Sequence, residues 1–179
     1  MKPIYKYLST KIKNSKIKAT DETIYQIVKD ELDRLGHDAD LNHINVSKVT
    51  NMRCLFSCTD EDLGSQYKDL NPDISEWDVS HVEKMNYMFW KCENFNQDIS
   101  QWNVSKVKNM NCMFYGCENF NQDISIWDVS KVENMASMFY SCGNFNKDLS
   151  GWDVRKVKEY EHIFNNCPIK EEYKPHFVK

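Results

Sequence analysis

Four cysteines recur at one interval along this chain: Cys92, Cys117, Cys142 and Cys167. A thiol row could hold a soft metal, but a metal ion needs several ligands converging on one point, and one thiol per repeat spreads them along a line. Buried thiols acting as small apolar groups are therefore the expectation. Cys54 and Cys58 are four residues apart, Cys112 lies off the row, and no His stands near them at ligand spacing, so no metal and no cofactor is expected. A second row is acidic: Asp73, Asp98, Asp123 and Asp148. Stacked carboxylates repel, and backbone N–H groups, Lys or a cation such as Ca²⁺ must relieve them. Asp is a natural turn residue, so hydrogen bonding at turns is the favoured relief. The five His neither repeat nor cluster, and there is no Gly-rich phosphate loop or nucleophile elbow. No catalytic residue is assigned and an enzyme is not expected.

The positions that vary between copies point to binding. After the Met-Phe pairs come Trp90, Tyr115 and Tyr140, and after Ile163-Phe164 comes Asn165. The three aromatics, one residue past a core Phe, are candidate interface anchors, with partial core packing as the alternative. Glu76, Gln101 and Ile126 (with Gly151) vary most on the extended half of the repeat and form a second candidate surface. A third is acidic: Asp60, Glu61 and Asp62, in a polar loop over 57–69.

All of these hang on a repeat. Phe95-Asn96-Gln97-Asp98-Ile99-Ser100-Gln101-Trp102 returns at Phe120 and again at Phe145, and Trp77, Trp102, Trp127 and Trp152 keep a 25-residue beat. A fixed period in this range means stacked units, none able to bury its apolar side alone. Ser105 reads as an N-cap, with Val107, Met110, Met113, Phe114 and Cys117 on one helical face. The expectation is an α/β repeat solenoid, right-handed, with a parallel strand spine, one short helix per repeat, and Trp on Trp and Phe on Phe. Asp40–Val49 aligns with Asp73–Val82 at a shift of 33, so the first repeat carries eight extra residues, in the 57–69 loop. The division expected is a basic arm and capping helix over 1–39, five repeats over 40–167, and a C-terminal cap over 168–179. The capping helix has Thr20 as N-cap, Asp21 and Glu22 in its first turn, an apolar stripe from Ile24 to Leu35, and Gly36 at its end.

Hydrophobic residues make up 41% of the 179, enough for a core, and the net charge of −4 carries no general nucleic-acid signature. Lys2, Lys6, Lys11, Lys13, Lys16 and Lys18 stand in the first nineteen residues with no acid among them. Such an arm could touch nucleic acid, a membrane surface or an acidic partner, or simply be a solvated or Lys-protected edge. Around Lys11–Lys18 it reads as a short hairpin or extended segment. There is no apolar run fit for a signal peptide or a membrane span. Seven Cys, an odd number and mostly at one repeat position, favour a reducing compartment, so a cytoplasmic protein is expected.

The run Trp-Asp-Val-Ser-Lys-Val, followed by Met-Phe, Cys and Phe-Asn-Gln-Asp-Ile-Ser, resembles the BspA-like leucine-rich-repeat proteins. Within them it is similar to the mycoplasma-type surface-protein repeat. That resemblance implies a leucine-rich-repeat-like solenoid that binds proteins and carries no enzymatic activity. The expectation for function is a non-enzymatic module that binds or occludes a protein partner. One specific version is a small intracellular inhibitor such as a phage-encoded anti-CRISPR. The alternative is a nucleic-acid or membrane-surface binder acting through the Lys arm.

Overall fold

The computed structural model describes residues 16–177. Most of the Lys-rich arm, with any hairpin in it, lies outside the described residues. The part that is described, β1 (Ile17–Lys18), pairs in parallel with β2 (Ile44–Asn45). Between them runs α1 (Ile24–Leu35), which buries Ile24, Val28 and Leu32. Gly36, at φ 93°, ends it by donating its amide to the Leu32 carbonyl, 2.8 Å away. Leu35, placed in the apolar stripe by its spacing, is exposed. The helix begins after Thr23 rather than Thr20. Asp21 is turned away from it and accepts the amides of Thr50 (2.7 Å) and Asn51 (3.1 Å).

The α/β solenoid read from the sequence does not form. Among the described residues, α1 is the one α-helix, and β1 and β2 make the one sheet, two residues per strand. There is no strand spine and no helix in any repeat, so the leucine-rich-repeat-like architecture is overturned with them.

The apolar segments over 84–92, 109–117, 134–142 and 159–167 are instead chains of turns. The reason lies in two residues per segment. Tyr87, Cys112, Ser137 and His162 have φ between 52° and 61°, and four positions later Lys91, Gly116, Ser141 and Asn166 have φ between 55° and 71°. A left-handed residue every four positions stops a right-handed helix before one turn closes.

The backbone bonds then alternate. The amides of Met88, Trp90 and Cys92 fold back to the carbonyls of Met85, Tyr87 and Phe89, three residues earlier. Those of Met85, Tyr87, Phe89 and Lys91 cross to Asn109, Asn111, Met113 and Tyr115 in the next copy, at 2.7–3.0 Å. The same crossing links 109–117 to 134–142 and 134–142 to 159–167, and the first copy, over 51–58, crosses to 84–92 through Met52, Cys54, Phe56 and Cys58. We call these five segments rungs. Backbone amides find acceptors in the neighbouring copy without extended strands.

Side chains keep the same register. Phe56, Phe89, Phe114, Phe139 and Phe164 stack at 5.4–5.7 Å between centroids. Phe95, Phe120 and Phe145 make a second column. The expected Trp-on-Trp stack is replaced by Trp beside Phe, as in Phe89 with Trp102 at 6.4 Å. The indole N–H of each of the four periodic Trp residues donates backwards to a buried carbonyl: Trp77 to Leu41, Trp102 to Ile74, Trp127 to Ile99, Trp152 to Ile124, all at 3.0–3.3 Å. A Trp can be buried here because its one donor is satisfied. No helix among the described residues is long and apolar enough to cross a membrane.

Candidate functional site

The rung places its residues on two sides. In the three middle rungs, Met, Met, Phe and Cys turn into the core, while the residue between Phe and the second left-handed position sits at the margin. That residue is Trp90, Tyr115 or Tyr140, each half-buried. Trp90 meets Tyr115 edge-on at 5.8 Å, and Tyr115 stacks flat on Tyr140 at 4.7 Å. Tyr87 extends the band, 4.8 Å from Trp90. Burial pushes the hydroxyls of Tyr87 and Tyr115 above their ordinary range.

The acidic loop meets this band at its Trp90 end. The amide of Asp62 turns back to Thr59, whose hydroxyl donates to the Asp62 carboxylate at 2.9 Å. The loop is also moored to α1 and the turn after it: the Tyr67 hydroxyl donates to Asp33, the Lys29 amine donates to the same hydroxyl at 3.4 Å, and His37 bonds Asp69. The mooring holds Asp60, Glu61 and Asp62 across a cleft of about 570 Å³ from Tyr87 and Trp90. Arg53 and Lys91 also line it, so both charge signs face the opening. The Trp90 indole nitrogen is buried and has no hydrogen-bond partner among the described residues. A smaller cavity of about 350 Å³ shares Thr59, Asp60 and Lys91 with it.

Trp90 and the three loop acids, distant in sequence, thus line one cleft, and Tyr115 and Tyr140 continue from Trp90. Glu76, Gln101 and Ile126 do not join them. They are exposed at the Trp corners, one per copy, with Ile126 69% exposed, and none lines the cleft. Sequence reasoning missed Tyr87, Arg53 and Lys91. One signal was available: Tyr87 is the aromatic member of a position that reads Cys112 and Ser137 in later copies.

The other two rows serve the scaffold. Cys92, Cys117 and Cys142 donate to the carbonyls of Phe56, Phe89 and Phe114 at 2.9–3.0 Å, and burial pushes their thiols well above the ordinary range. Asp73, Asp98, Asp123 and Asp148 each accept the amide of the Ser two residues on, at 2.9–3.1 Å. Hydrogen bonds from those Ser residues hold the carboxyls below their ordinary value. Among the described residues no three His, Cys, Asp or Glu side chains converge as a metal site would require.

No curated protein and no solved structure matches the chain. A family model does match, over residues 61–174, a span that runs from the acidic loop through the last rung. That match covers more than half of the sequence, and the chain belongs to the family described as Mycoplasma protein of unknown function, DUF285.

Proposed function

We propose that this protein is a non-enzymatic binding module that engages, and thereby occludes, a protein partner through the cleft and aromatic band around Trp90. The observation that carries this is the meeting of three acids with Tyr87 and Trp90 across an open cleft, continued by Tyr115 and Tyr140. Half-buried aromatics on a stiff backbone lose little entropy on binding and contribute disproportionately at interfaces. Carboxylates facing an aromatic wall suit a Lys or Arg side chain of the partner, by charge and by cation–π attraction. The one thiol lining the cleft, Cys54, is pushed above its ordinary value by burial, the reverse of an activated nucleophile. The likeness of the repeats to BspA-like repeats supports the same role.

The test compares capture from a host lysate by the wild-type chain, a Trp90→Ser/Tyr115→Ser/Tyr140→Ser variant, and an Asp60→Lys/Glu61→Lys/Asp62→Lys variant. Circular dichroism checks the fold of each. A partner held by the wild type should be lost from the aromatic variant, and should associate more slowly with the loop variant. Equal capture by the folded aromatic variant would refute the proposal. Loss of capture only when residues 1–15 are removed would transfer the role to the Lys arm.

A further inference from the structure

The same four amides join each rung to the next, and in the last rung they meet no acceptor among the described residues. Met135, Ser137, Phe139 and Ser141 donate to the carbonyls of Glu159, Glu161, Ile163 and Asn165. The equivalent donors one copy later are the amides of Tyr160, His162, Phe164 and Asn166, and none of them has an acceptor among the described residues. The side chains show the same ending independently. Met135, Phe139 and Cys142 are fully buried, whereas Tyr160, Phe164 and Cys167 at the matching positions are half-buried. Phe164 has Phe139 on one side, at 5.6 Å, and ends the column.

Among the described residues the C-terminal tail covers the other edges of this end and, in this row, the Tyr160 ring alone. Lys170 donates its amide to the Asn146 side chain at 3.1 Å, the place that Asn146 itself holds on Asn121 one copy earlier. Tyr173 accepts the Leu149 amide at 2.8 Å, Ile169 is buried, and Phe177 stacks on Tyr160 at 4.4 Å. The tail therefore replaces a next copy along the Asn and Leu149 side and, among the described residues, leaves the amides of the row over 160–166 without acceptors.

We infer that the row over 160–166 is a docking edge for a peptide segment of a protein partner, which adds as a further rung. An unpaired row of backbone donors is a template for another chain, and main-chain pairing with an edge is a recurring mode of peptide capture. The geometry of the four rung-to-rung junctions says what fits: carbonyls at alternate residues, with an apolar, preferably aromatic, side chain seated on Phe164. Glu161 is exposed and makes no ion pair among the described residues, which adds a preference for a basic residue opposite it. A second copy of this chain fits less well. Two copies tail to tail would set donors against donors. This edge is separate from the cleft at Trp90 and does not depend on it.

The probe is a synthetic peptide of residues 134–141, Asn-Met-Ala-Ser-Met-Phe-Tyr-Ser, whose carbonyls serve this purpose within the chain. The readout is amide hydrogen exchange by NMR on the full chain. Without peptide, the amides of Met135, Ser137, Phe139 and Ser141 should exchange at least about 100-fold more slowly than those of Tyr160, His162, Phe164 and Asn166. At millimolar peptide the second set should slow by about tenfold or more, with the first set unchanged. A Phe164→Lys variant should lose that protection while exchange in the earlier rungs shows the fold intact. Three outcomes overturn the inference: the four amides are already slow in the free chain, they stay fast with peptide present, or they slow with chain concentration alone as a dimer forms.

Discussion

Ser141→Gly should stabilise this protein, a sign opposite to that expected had the rung been helical. Ser141 sits at φ 56°, its side chain makes no hydrogen bond among the described residues, and Gly116 holds the same position one copy earlier at φ 71°. A non-glycine residue in this left-handed region costs roughly 1–2 kcal/mol. Glycine's greater freedom in the unfolded chain offsets roughly 0.5–1 kcal/mol of the relief. The net gain is about 0.5–1 kcal/mol, or a rise in Tm of about 1–4 °C for a chain of this size. In a helix the same change would lose about 0.5 kcal/mol. Gly116→Ala supplies the reverse arm. A Cβ there would meet the Lys91 Cα and Cγ at 3.6 Å, ordinary contact, so its cost is conformational, about 0.5–1 kcal/mol. Urea and thermal unfolding followed by circular dichroism measure both. Destabilisation by Ser141→Gly, or a neutral Gly116→Ala, would refute the link drawn between the left-handed positions and the absence of helices.

Two further outcomes follow from the core and the turns. Phe114→Ala and Met110→Ala should each destabilise by about 2–5 kcal/mol, since both side chains are fully buried between neighbouring rungs, while Glu118→Ala, exposed, should stay within about 0.5 kcal/mol. Equal urea midpoints for all three would deny that the Phe column is core. Asp73, Asp98, Asp123 and Asp148 have carboxyls held below the ordinary 3.8, so their contribution is complete above that pH and is lost as pH falls through the lowered values. The urea midpoint should therefore drop as pH falls below 3.8, and drop less in a variant with all four changed to Asn. Identical pH profiles for the two chains would remove the turns as the cause.

The period, the burial of the Met, Phe, Val and Trp rows and the turn role of Asp were legible because they depend on side-chain chemistry at a repeated position. The local backbone was not. Met85, Met88, Phe89 and Cys92 stand at intervals of three, one and three, which is also the spacing of an amphipathic helix. A chain of turns that folds back every third residue buries the same set. Glycine would have given the turns away, but only Gly116 occupies one of these left-handed positions; Tyr87, Lys91, Cys112, Ser137 and Ser141 accept the strain instead. They are held there by crossing hydrogen bonds to copies 24 residues on, which no local pattern displays. The nearness of Asp60 to Trp90 was hidden for a related reason. It depends on Tyr67 and Asp69 mooring the loop to α1 and to His37 just beyond it, contacts across more than thirty residues.

The backward reach of the periodic Trp indoles and Cys thiols to carbonyls of the preceding copy has a consequence for how such a sequence can change over generations. Adding or removing one residue between Trp102 and Cys117 would put the indole and thiol bonds out of step with each other. Duplicating or deleting a whole unit leaves every donor facing an acceptor. Relatives should accordingly differ in length by multiples of 25 residues, apart from outgrowths at the one bend where the eight extra residues between Phe56 and Leu70 already leave the stack. Recombination between near-identical copies would then be a tolerated event, and single-codon slippage a lethal one for the fold.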